Sequence, residues 1–115
     1  MSSPSREQAS RLLRSVDQEH SFLFYYDVDE YTGASAKNLE EFLSRLQTIG
    51  ARSIQFHAGR GDFGNWIAML GDNRLARQLK EAAKNGLMGE ELRKRLVETV
   101  RIRYDFLKSR LTNSS

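Results

Sequence analysis

Apolar residues recur along most of this chain at helical spacing, and glycine, asparagine and aspartate punctuate the intervals between them. Arg6 to about Gln18 follows Ser5 as a candidate N-cap and carries Leu12, Leu13 and Val16, which predicts a modest first helix. Phe22-Leu23-Phe24-Tyr25-Tyr26 is dense in aromatics and bounded by Ser21 and the acidic, turn-forming stretch Asp27–Gly33, the pattern of a buried strand or extended segment. A lone strand needs a partner. The other candidate is Ser53–His57, where Ile54 and Phe56 alternate with polar residues, although a single helical turn fits that stretch equally well.

The remaining pattern is helical. Asn38 followed by Glu41 matches an N-cap with Glu at the third helical position, and Leu39, Phe42, Leu43, Leu46 and Ile49 follow before Gly50. Asp62 opens another helix, as the capping residue, with Phe63, Trp66, Ile67 and Leu70 on one face. Gly71 closes it, Asp72 opens the segment Asn73–Lys84, and the Asn85-Gly86 pair suits a left-handed cap. In the last and longest helix, Leu92, Leu96, Val97, Val100, Tyr104, Leu107 and Leu111 share one broad face, while Ile102 and Phe106 lie nearly opposite. The prediction is a mainly α fold: a single domain over 6–111, of four to five helices with a short N-terminal aromatic strand or extended segment, between mobile tails at 1–5 and 112–115. Trp66 is expected to bury its indole against the last helix.

Composition narrows the setting. At 115 residues the chain holds one hydrophobic core. It has no Cys, which excludes disulfides, thiolate nucleophiles and Cys-based zinc sites and suits a reducing compartment, with the cytoplasm expected. Neither a signal peptide nor a membrane segment is expected, because the longest apolar run, Phe22–Tyr26, falls far short of the ~20 residues a spanning helix requires. Charge is divided unevenly: residues 1–50 carry 5 Lys/Arg against 8 Asp/Glu, and residues 51–115 carry 13 against 7. An acidic front and a basic back suit self-association, a nucleic-acid contact or plain solvation of helix surfaces.

Candidate chemistry concentrates in His57–Ile67. His57, Arg60, Asp62 and Trp66 form a candidate functional loop, in which a carboxylate orients an imidazole for acid–base work or, more simply, pins a turn. No catalytic residue is assigned, because no Ser, Cys or second carboxylate is placed as a partner. Gly59, Gly61 and Gly64 spell G-x-G-x-x-G, but no βαβ unit surrounds them and Asp62 would repel phosphate, so no cofactor is expected. His20 and His57 have no ligand spacing, and Asp27, Asp29 and Glu30 make only half a calcium loop, so no metal is expected either. Arg93, Lys94, Arg95, Arg101 and Arg103 are candidate phosphate-binding residues. Ile102 and Phe106 are the candidate interface.

In order and at short spacing, the chain carries Leu39-Glu40-Glu41-Phe42-Leu43, Ser53-Ile54, Phe56-His57, Asp62-Phe63-x-x-Trp66-Ile67, Leu70-Gly71-Asp72, Leu75-Ala76 and Gly86-Leu87-x-Gly89-Glu90-Glu91-Leu92. In these pieces it resembles a family of small, largely helical domains of unknown function, mainly archaeal. The resemblance spans about residues 32 to 100 and implies a compact helical accessory module, without an activity, cofactor or catalytic residue to transfer. The resulting expectation is a non-catalytic protein-interaction or accessory module that self-associates through its C-terminal helix. The alternatives are a nucleic-acid-binding domain using the basic C-terminal half, and an enzyme using the His/Arg/Asp cluster.

Overall fold

The computed structural model describes residues 4–112, and its elements follow the chain in simple order. Helix α1 (Arg6–Leu12) leads through a 3-10 turn (Gln18–His20) to a hairpin of β1 (Phe22–Asp27) and β2 (Glu30–Ala36). Five helices follow: α2 (Leu39–Thr48), α3 (Ala51–Arg60), α4 (Asp62–Leu70), α5 (Asn73–Ala83) and α6 (Gly89–Thr112). The fold is mainly α, with six helices among the described residues and a two-stranded antiparallel sheet near the N-terminus. No helix among the described residues is long and apolar enough to cross a membrane.

Helix starts follow local chemistry. Ser5 caps α1 in a reciprocal pair with Gln8, Asn38 accepts from the Glu41 N–H at the start of α2, and Asp72 accepts from the Leu75 N–H at the start of α5. The first helix is shorter than predicted. It stops at Leu12, Leu13 turns the chain out of the helix at φ −94° and ψ 0°, and the Val16 N–H is bonded to the Lys37 carbonyl. The tails expected at 1–5 and 112–115 lie largely outside the described residues. Pro4, Ser5 and Thr112 nevertheless belong to the fold: Ser5 caps α1, the Pro4 carbonyl accepts from Arg110, and Thr112 ends α6.

The partner of β1 is β2, not Ser53–His57, which lies inside α3. Thr32-Gly33-Ala34-Ser35 offers little apolar alternation, so the pairing comes from backbone hydrogen bonds to β1 and from packing on α2. Strand β1 sits on α3 and turns Phe22 and Phe24 inward. There they meet Phe42, Phe63 and His57, with ring centroids between 4.8 and 6.3 Å apart. Trp66 is buried in the same cluster, against Phe22 and Phe42, and its Nε1–H donates to the His20 carbonyl at 2.7 Å. Its ring neighbours lie on β1 and α2, and α4 packs chiefly on α5 and α3.

Helix α6 crosses α1, α2, α3 and α5, burying Leu92, Leu96, Val100 and Leu107. Arginines fasten it. Arg103 grips Asp72 through two nitrogens at 2.7 and 3.1 Å, with both side chains nearly buried, and so ties α6 to the junction of α4 and α5. Arg93 donates to the Leu46 carbonyl at 2.7 Å and also bonds Glu90, which ties α6 to α2.

Candidate functional site

The structure brings His57, Arg60 and Asp62 together. Gly61 lies between α3 and α4 with φ of +75°, a left-handed conformation that glycine adopts without a Cβ penalty. The reversal there turns Asp62 back onto the end of α3. Asp62 is the first residue of α4 rather than its cap: Gly61 occupies the cap position, and no side chain caps this helix. The Asp62 carboxylate instead accepts from His57 Nδ1 at 2.9 Å and from Arg60 Nε at 3.1 Å. Arg60 also lies over the Phe56 ring, 4.9 Å from its centroid.

The other imidazole nitrogen is engaged as well. Nε2 of His57 accepts the Tyr25 backbone N–H at 2.8 Å, which requires the proton to sit on Nδ1, facing Asp62. Burial pushes the His57 pKa below its ordinary value, the Asp62 carboxylate opposing and Arg60 adding to the shift. The ring is therefore neutral and saturated. A general base needs an open lone pair, and the one on Nε2 is spent on a strand amide, so the cluster works as a crosslink joining β1, α3 and α4. The cleft beside it, about 380 Å³, is lined by Leu23, Tyr25, Val28, Phe56, Arg60 and Asp62 among others. Trp66 does not line that cleft. Among the described residues no group of three or more His, Cys, Asp or Glu is placed to hold a metal.

A second concave surface runs between α5 and α6. One hollow of about 450 Å³ is lined by Arg74, Arg77, Gln78, Glu81, Arg95 and Thr99, with Ala82 and Asn85. It continues, through shared Arg74 and Gln78, into a hollow of about 370 Å³ that reaches Ile102, Arg103 and Phe106. Among the described residues Arg74, Arg77 and Arg95 have no carboxylate within ion-pair distance.

The predicted surface residues divide accordingly. Arg103 and Arg93 are clamps whose nitrogens are taken by Asp72, Glu90 and the Leu46 carbonyl, so neither keeps its full set of donors for a phosphate. Arg95 lines the groove, whereas Lys94 and Arg101 are exposed outside it. Ile102 is 71% exposed. Phe106 is half-buried, with the guanidinium groups of Arg103 and Arg110 5.6 and 6.0 Å from its ring centroid. The α5 contribution, Arg74 and Arg77, escaped the sequence reading. Arg74, Gln78, Glu81 and Asn85 recur at helical spacing, a legible polar flank, but only packing shows which flank of α6 it faces.

A family model for a family of unknown function, DUF5752, matches residues 5–101. The chain belongs to the DUF5752 family. No curated protein and no solved structure gives a significant match. The matched span of this DUF5752 domain takes in the His57 crosslink, the hairpin and most of the α5–α6 groove, and stops just before Ile102.

Proposed function

We infer that this domain is a non-catalytic interaction module that associates with copies of itself through the C-terminal helix, at the groove between α6 and α5. One observation carries the reading: Arg74, Arg77 and Arg95 line that groove without carboxylate partners, and Ile102 stands exposed at its side. An excess of arginine without ion-pair partners beside an exposed apolar side chain is poorly explained by solvation alone and is the make-up of a docking surface. The His57 cluster, by contrast, satisfies its own hydrogen bonds and asks for no ligand. Absence of cysteine suits the reducing cytoplasm as the setting.

The test is the oligomeric state of the wild type and of Ile102→Glu by sedimentation velocity across a concentration series. Association that this exposed substitution weakens supports the reading; a wild type that stays monomeric throughout refutes it. The unpaired arginines also favour a second reading, contact with nucleic-acid phosphates. That reading requires gel shifts of duplex or single strands that fade steeply between about 50 and 200 mM salt.

A further inference from the structure

We propose that the groove's occupant is the tip of the β1–β2 hairpin of a second copy, a contact that rests on self-association through the α5–α6 groove. Two grooves facing each other would bring Arg74, Arg77 and Arg95 of both copies together with only Glu81 of each to offset them, and the excess of like charge opposes association. The groove therefore calls for a surface that combines carboxylates with apolar side chains. The hairpin supplies it. Val28 at the turn is 65% exposed and Tyr31 49%, and Asp27, Asp29 and Glu30 surround them. Asp29 makes no ion pair among the described residues, while Asp27 and Glu30 share Arg52, at 3.6 and 3.0 Å, so the tip keeps a net negative charge.

The tip is held in shape. Asp27 Oδ1 accepts from the Val28 N–H at 2.7 Å, and Asp29 adopts a left-handed φ of 64°. The strands pack on α2 and α3 rather than on α5 or α6, so a chain does not fill its own groove and the contact joins two copies. Because tip and groove are different surfaces, the interface is heterologous. Each added copy leaves one tip and one groove open, and assembly proceeds to a ring or a chain.

Two variants with exposed substitutions separate the possibilities. The groove variant is Arg74→Glu with Ile102→Glu; the tip variant is Val28→Lys with Asp29→Asn, since Asn tolerates the left-handed conformation. Circular dichroism establishes that both fold. In sedimentation velocity the wild type is expected to form species larger than a dimer as concentration rises, and each variant alone to associate at least tenfold more weakly. Mixed one to one, they are expected to form a dimer that grows no further, because one intact tip meets one intact groove. A tip variant that associates like the wild type overturns the proposal while leaving self-association through α6 standing, and so does a mixture that stays monomeric when the wild type does not. A wild type monomeric at every concentration overturns both, and if it then shifts a nucleic-acid duplex that the groove variant fails to shift, phosphate is the groove's occupant.

Discussion

His57→Phe separates a structural imidazole from a chemical one. Phenylalanine keeps an aromatic ring among Phe22, Phe24 and Phe63 but removes both hydrogen bonds. The Tyr25 N–H then loses its acceptor in a part-buried position, a penalty of about 1–3 kcal/mol, and a hydrogen bond to a carboxylate disappears. Asp62 is partly exposed and keeps Arg60, so water restores some of the second loss. The expected destabilisation is about 2–4 kcal/mol in urea denaturation at pH 7.5. The gap should narrow on acidification. The folded pKa of His57 lies below 6.5, so the unfolded chain takes up a proton first, and wild-type stability falls as pH drops from about 6.5 toward the folded value. The variant lacks this group, and the difference between the proteins should shrink by up to about 1.4 kcal/mol per pH unit in that window. His20 acts in the opposite sense, because its hydrogen bond to Asp17 raises its pKa: its contribution is present below 6.5 and lost as pH rises through the raised value. It belongs to both proteins and cancels in the comparison. A loss below about 0.5 kcal/mol, or a gap indifferent to pH, would refute the crosslink.

Other substitutions probe the same framework. Asp62→Asn and Asp62→Ala should both lose about 1–2 kcal/mol, because the carboxylate binds His57 and Arg60 instead of capping α4; a harmless Asn in thermal denaturation would restore the capping role. Trp66→Ala should cost about 3–5 kcal/mol by chemical denaturation, and a loss under about 1 kcal/mol would contradict its burial against Phe22 and Phe42. Asp72→Ala strands the Arg103 guanidinium in a nearly buried site and should cost about 3–5 kcal/mol, whereas Asp72→Ala with Arg103→Met should recover part of that; equal instability of single and double variants would argue against a coupled pair.

Most of the local structure was legible in the residues themselves. Asn38 and Asp72 announce their helices because a short side-chain acceptor satisfies nearby N–H groups whatever lies beyond them. The apolar face of α6 was equally plain, since periodicity acts within a few residues, whereas the aromatic run of β1 was legible only as a strand or extended segment. Strand β2 was not, because the small residues Gly33, Ala34, Ser35 and Ala36 have little intrinsic preference and become a strand only against β1. Asp62 illustrates the same limit. Its position forecast a helix start, but its carboxylate turns to His57 and Arg60, which the reversal at Gly61 brings within reach. Arg93 and Arg103 looked like two more cations on a basic helix until the fold placed the Leu46 carbonyl and Asp72 beside them. What the sequence determined alone were short-range matters, where each residue acts on its own neighbours. What waited for the tertiary structure was every pairing of distant groups, since polar side chains choose partners by proximity in space, and that proximity exists only once the core has packed.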